Sequence, residues 1–241
     1  MSKSNHFLVK NLFSIKNKIC LVTGSEGGMG KQVCALLKKN GAIVIGVDKS
    51  KSKKKNYYQV DISNNKKLDF LETEIKKRFS KIDAIVNLAG VSDPLNFENN
   101  FRVNLFGIFN LTTNLISLMK KKGGSIVNIT SLNAELGFTN NPGYNSSKGA
   151  LKLLTKSMAV DYGKYNIRVN NLGPGYIKTK MTELSYKNKK QKQKRIQRMI
   201  IKRYGNPSDL FGAIIYLISD CSNYLTGQDI YIDGGLLSKG I

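Results

Sequence analysis

The chain has 241 residues, 41% hydrophobic and 23% charged, the balance of one soluble globular domain whose single core suffices for stability, which excludes a disordered, collagenous or disulfide-stapled chain. Its 39 basic against 16 acidic residues give a net charge of +23, which alone would suggest nucleic acid or an anionic membrane. Only six of the basic residues are arginine (Arg78, Arg102, Arg168, Arg195, Arg198 and Arg203), the residue that leads in base and phosphate recognition, and the lysines are spread along the whole chain, so no nucleic-acid partner is expected.

The first 17 residues read as a basic N-terminal extension. Its apolar run Phe7-Leu8-Val9 is too short for a secretory signal, and no stretch approaches the ~18 apolar residues of a membrane span. Cys20, Cys34 and Cys221 have neither zinc nor disulfide spacing and read as small buried residues of a reducing, cytoplasmic protein. Ile19 to Val22 is a short apolar strand, followed by a glycine cluster and a helix through Val33, Leu36 and Leu37 that stops at Asn40-Gly41. Ala42 to Val47 is a second strand ending at Asp48, Tyr58 to Val60 a third ending at Asp61, Leu68 to Phe79 a helix, and Ile82 to Val86 a fourth strand. Phe101 to Met119 is apolar nearly all round and predicts a buried helix. Ser125 to Ile129, a helix over Ala150 to Val160, Ile167 to Leu172, a helix over Ala213 to Ile218 and a last strand at Asp229 to Ile232 complete the chain. Strand–helix alternation with apolar strands predicts a single doubly wound parallel α/β sheet of Rossmann type, covered by helices on both faces.

Two places carry chemistry. Thr23-Gly24-Ser25-Glu26-Gly27-Gly28-Met29-Gly30 lies between the first strand and first helix, where glycine lets the backbone approach a pyrophosphate at the positive helix end. Asp48, at the end of the second strand, suits the ribose hydroxyls of NAD and would repel the 2′-phosphate of NADP, although Lys49 beside it could accommodate one. Tyr144 and Lys148 stand four apart at a helix start, so an ammonium can approach the phenol and lower its pKa, and Ser131, at the end of the fifth strand, can reach the same place. The only histidine is His6, which excludes a Ser-His-Asp triad.

Taken together these residues resemble the classical short-chain dehydrogenase/reductase family over about Ile19 to Gly235. The matching elements are Thr23 to Gly30, Asn87-Leu88-Ala89-Gly90, Asn104, Ser131, Tyr144 with Lys148, and Pro174-Gly175 followed by Thr179. The resemblance implies an oxidoreductase that moves a hydride between a nicotinamide and a secondary alcohol or ketone. In it Tyr144 is the general acid/base, Lys148 lowers its pKa and holds the nicotinamide ribose, Ser131 bonds the substrate oxygen, and Asn104 completes a water-linked proton relay. The implied cofactor contacts are Gly24, Ser25, Glu26, Gly28, Met29 and Gly30 at the pyrophosphate turn, Asp61 and Ile62 by the adenine, Asn87 and Gly90 near its ribose, and Gly175, Ile177 and Thr179 toward the carboxamide. Family members commonly form tetramers through the helices at about 101–121 and 145–163, so a homotetramer or dimer is expected.

The chain departs from the family at Leu88, which replaces an asparagine, and in the short interval between Gly90 and Asn104, which predicts a short or missing helix. The segment 177–203 is expected to be a substrate lid, and it holds eleven basic residues against the single acid Glu183. A lid of that sign favours an anionic substrate, and Ser92, Asn133, Glu135, Asn140 and Asn141 suggest a hydroxylated one, so a small sugar-type substrate is expected. The alternatives are an NADPH-dependent 3-oxoacyl-[acyl-carrier-protein] reductase and, in a different class, a non-catalytic nucleic-acid or acidic-partner binder. No metal is expected.

Overall fold

The computed structural model describes residues 9–239, so His6 and most of the Phe7-Leu8-Val9 run lie outside the described residues. After a short helix α1 (Val9–Leu12), the chain runs β1 (Ile19–Thr23), α2 (Gly28–Lys39), β2 (Ile43–Asp48), β3 (Tyr57–Gln59), α3 (Asn65–Arg78) and β4 (Ala84–Asn87). It continues with α4 (Phe97–Phe101), a π-helical turn (Arg102–Gly107), α5 (Ile108–Leu115), β5 (Gly124–Ile129), α6 (Pro142–Gly163) and β6 (Ile167–Pro174). The last elements are α7 (Glu183–Lys187), α8 (Lys189–Arg198), α9 (Phe211–Ile218), β7 (Asp229–Ile232) and α10 (Leu236–Lys239).

All seven strands pair in parallel in the order β3-β2-β1-β4-β5-β6-β7. The order reverses between β1 and β4, and that crevice at the carboxyl ends of the strands is where doubly wound sheets bind ligands. Successive β1 side chains serve opposite faces, as the two-residue period of a strand requires. Leu21 joins the core beneath α3, α5 and α6, with Ile45, Ile85, Ile126, Leu71, Leu111 and Leu151. Cys20 and Val22 join the core beneath α2 and α9, with Val44, Val86, Val127, Val33 and Leu217. Both sheet faces are thus covered, as the apolar strands predict.

Three expectations are corrected. The segment after Phe101 is not buried all round: Ile108, Leu111 and Leu115 are buried, while Phe106 and Phe109 are exposed with Phe97 of α4. Only Cys20 is fully buried, with its thiol pushed up to about 12 by burial, while Cys34 and Cys221 are half-buried. Finally, α6 begins eight residues before the predicted Ala150, because Pro142 takes its first turn and the Asn141 side chain caps it by accepting from Tyr144 N at 3.2 Å.

Candidate active site

The glycine turn is shaped by contact with the loop that follows β4. Gly24 has φ +64, and a Cβ there would lie 2.9 Å from Ala89 N; a Cβ on Gly30 would lie 2.0 Å from Gly24 O. Only glycine permits that fold-back. The turn leads into α2 through Gly27, an N-cap with no side-chain hydrogen bond, so the first amides of α2 keep no side-chain cap. Ser25 Oγ is buried without a hydrogen-bond partner among the described residues, and a Cβ built on Gly28 would meet nothing within 4 Å. Open space above uncapped amides and an orphaned hydroxyl fit a dinucleotide pyrophosphate. Asp48 closes this corner, its two carboxylate oxygens accepting from Glu26 N and Ser50 N at 2.9 Å each. Glu26 pairs with Lys54 at 2.7 Å and Lys31 at 3.6 Å, and the Lys54 hydrogen bond holds its carboxyl below the usual range.

The other residues expected at the cofactor differ in what they touch within the protein. Asn87 is fully buried and donates to Asn128 Oδ1 at 2.8 Å, while its own Oδ1 has no partner among the described residues. Ile62 is core, packed against Gly107 of the π turn. Asp61 is half-buried; burial pushes its carboxyl up, but the Ser63 amide and hydroxyl, with Lys49 and Arg102, hold it below the ordinary value. Gly175 lies against the residue that follows β7, where a Cβ would come 2.6 Å from Asp233 Cα. Ile177 is buried, and Thr179 N donates to Thr182 Oγ1 at 3.0 Å as part of a capping box.

Beyond this turn lies the second group of residues. Lys148, 4% exposed, donates from Nζ to Ile129 O at 2.7 Å and sits 5.8 Å from the centroid of the Tyr144 ring. Gly90 opens onto it, since a Cβ there would lie 3.6 Å from Lys148 Nζ and 3.2 Å from Asn104 Oδ1. Burial pulls the Lys148 ammonium down to about 8. Burial also pushes the Tyr144 phenol above its ordinary value, opposed by the Ser131 hydroxyl beside it. Desolvation disfavours the charged form of each group, so it raises the phenol and lowers the ammonium. The sheet edge thus brings Tyr144, Lys148, Ser131 and Gly90 together.

The Asn104 side chain ties the loop after β4 to α6. Its Oδ1 accepts from Val91 N at 2.8 Å, and its Nδ2 donates to Val91 O at 2.9 Å and Ser147 Oγ at 3.0 Å. Its side chain is thereby committed to stapling the loop after β4 to α6, which leaves a proton path at this residue to its main chain within the π turn. Sequence reasoning also missed a buried polar chain that crosses the sheet in register through Asn87, Asn128, Asn171 and Asp229. Asn128 donates to Thr155 Oγ1 at 2.8 Å, Thr155 Oγ1 donates to Asn171 Oδ1 at 2.7 Å, and Asn171 donates to Asp229 Oδ1 at 2.7 Å. Thr155 lies two turns beyond Lys148 on α6, so this chain clamps the helix that carries the chemistry. Three asparagines and an aspartate within largely apolar strands were the signal available.

Other polar residues near the site serve one another. Asn141 Nδ2 donates to Ser92 Oγ at 2.9 Å, and Glu135 is held by Lys152 and Tyr231. The lid segment folds into α7 and α8, which rest on an aromatic cluster of Phe138, Tyr176, Tyr186 and Tyr204. Arg195 of α8 stacks 4.5 Å over the Tyr176 ring.

Comparison with known proteins agrees with this geometry. A family model described as enoyl-(acyl carrier protein) reductase matches residues 24–237. A 3-oxoacyl-[acyl-carrier-protein] reductase of Thermotoga maritima is 34% identical, over 92% of this chain and 99% of its own. A 2-dehydro-3-deoxy-D-gluconate 5-dehydrogenase of Formosa agariphila is 31% identical, over 95% and 96%. The solved gluconate 5-dehydrogenase of Burkholderia cenocepacia, in complex with NADP and tartrate, superposes with a TM-score of 0.91 at 28% identity, covering 96% of this chain and 99% of that one. The site and fold define an oxidoreductase that acts on CH–OH groups with a nicotinamide dinucleotide. The chain belongs to the short-chain dehydrogenase/reductase family.

Proposed function

We propose that the enzyme interconverts a secondary alcohol and a ketone on a small, polar, anionic sugar-type substrate. The observation that carries this is the cationic lid: α8 buries none of its residues, yet it sets Arg195 on Tyr176, the residue directly after the Pro174-Gly175 turn. The dinucleotide supplies the hydride acceptor or donor. Tyr144 exchanges the substrate hydroxyl proton, Ser131 bonds the reacting oxygen, and the Lys148 ammonium supports the phenolate. The gluconate-type relatives support the same substrate class. In steady-state assays Arg195→Ala is expected to raise KM for a sugar acid such as gluconate by about tenfold, and to leave KM for the matched neutral polyol unchanged. Equal effects on both would remove Arg195 as the carboxylate ligand. Rapid turnover of a 3-oxoacyl thioester with none of a keto sugar acid would favour the second reading, a 3-oxoacyl reductase, which the Thermotoga relative supports.

The cofactor in this reading is NAD. Asp48 and Glu26 set two carboxylates side by side between the glycine turn and the end of β2, an arrangement that disfavours a 2′-phosphate, and the nearby cations Lys54 and Lys31 are engaged by Glu26. Glu26→Gln removes one carboxylate and releases both lysines, so it is expected to tighten NADPH several-fold with NADH little changed in fluorescence titration. An unchanged NADH:NADPH ratio would show that this corner does not select the cofactor. Self-association as a dimer or tetramer belongs to the same reading, through exposed Phe106 and Phe109 beside α4 and Leu153 and Val160 of α6; the mass of the purified protein in solution reads it directly.

A further inference from the structure

Ser131 is flanked by a chain of amides whose direction is set at its far end. Asn145 Nδ2 donates to Phe138 O at 2.7 Å. A carbonyl can only accept, so the Asn145 amide group must face it and Asn145 Oδ1 must point the other way. There it accepts from Asn133 Nδ2 at 2.5 Å. This turns Asn133 Oδ1 toward Ser131, whose hydroxyl donates to it at 3.0 Å, while Asn133 N donates back to Ser131 Oγ at 3.2 Å. A serine hydroxyl has one proton. Tyr144 lies within reach of the same hydroxyl, which lowers the phenol when it donates there, so Asn133 and Tyr144 compete for it: while the proton rests on Asn133, Ser131 can offer Tyr144 or a substrate only a lone pair, and stabilising a phenolate or a carbonyl oxygen needs the proton to rotate away.

We propose that Asn133 and Asn145 are positioning residues that set the rotor of the Ser131 hydroxyl. The pair, anchored on the Phe138 carbonyl, holds the serine proton off the reacting oxygens until a substrate oxygen competes for it. The proposal deepens the alcohol–ketone reading of the same site. Lys148 on the same helix sets its charge beside the Tyr144 ring, and the segment after β5 meets the ring with the uncharged Ser131.

The predicted consequence is on the ionisation of Tyr144. If Asn133 is removed, the Ser131 proton is released to donate to the phenolate, and Tyr144 ionises at a pH about one unit lower. If Asn145 is removed, Asn133 is free to turn its amide and donate to Ser131, with the same result, although residue 145 does not touch Ser131. The experiment is a tyrosinate absorbance titration of the protein without substrate, with the Tyr144→Phe curve in the same background subtracted. Asn133→Ala and Asn145→Ala are each expected to lower the Tyr144 midpoint by about one pH unit, the double variant to add nothing further, and Asn145→Ser, which keeps an acceptor for Asn133, to shift it less. A midpoint unmoved by Asn145→Ala, or additive shifts in the double variant, would overturn the relay. Should the midpoints move as expected in a protein that oxidises no alcohol, the relay would stand and the functional reading would fall.

Discussion

A Tyr144→Phe protein is expected to lose about 10²- to 10⁴-fold in kcat, the span associated with one general acid/base. Its affinity for the dinucleotide should stay within about a factor of two or three, because the glycine turn between β1 and α2 and Asp48 of β2 lie on elements other than α6. Nicotinamide absorbance under saturating substrate measures the first quantity, and a fluorescence titration the second. The pH dependence follows from the raised phenol: alcohol oxidation, which needs the phenolate, should climb well into the alkaline range, while ketone reduction, which needs the phenol, should decline there. Full turnover in Tyr144→Phe would remove the residue from the mechanism.

Lys148→Met is expected to separate stability from activity. The lysine is charged in the unfolded chain up to its ordinary 10.5, but in the folded protein only up to about 8. Between those values the unfolded state binds more protons, so wild-type stability rises with pH across that interval, and below 8 the whole burial penalty of about 3 kcal/mol stands. Methionine keeps the length of the side chain without its charge. Net of the lost hydrogen bond to Ile129 O, worth about 1 kcal/mol, the variant should be more stable than wild type by about 2 kcal/mol at neutral pH. That corresponds to roughly 4–8 °C in Tm for a chain of this size, and the advantage should shrink as pH approaches 10. Turnover should fall by at least about tenfold with the loss of the ammonium beside Tyr144. Thermal melts across pH and steady-state rates test both, and a destabilised Lys148→Met at pH 7 would show that the buried ammonium contributes more through its hydrogen bond than its desolvation costs.

Much of this site was legible because its elements are local. The strand–glycine–helix passage from Ile19 to Lys39, Asp48 at a strand end, and Tyr144 and Lys148 one helical turn apart are all set by spacings of a few residues. The π turn was not legible, because Arg102–Gly107 differs from the helix around it by hydrogen-bond pattern and not by apolar period. The lid helices were hidden for another reason: α8 carries almost no apolar stripe, and its contact with the aromatic cluster joins residues far apart in the chain. The short interval before Asn104 did contract to the five residues of α4, which run straight into the π turn.

By itself, the sequence determined the alternation of strands and helices, the residue types at the catalytic edge and the acidic end of β2, since each depends on local period or on chemistry a side chain carries anywhere. Only the tertiary structure decided what those side chains are free to do. It tied the Asn104 side chain to the loop after β4 and to α6, buried Lys148 against the Ile129 carbonyl beside a half-buried Tyr144, and joined Ser131 to Asn133, Asn145 and the Phe138 carbonyl. Burial and hydrogen-bond partnership are properties of packed neighbours, and neighbours across a sheet edge are not written in the spacing along the chain.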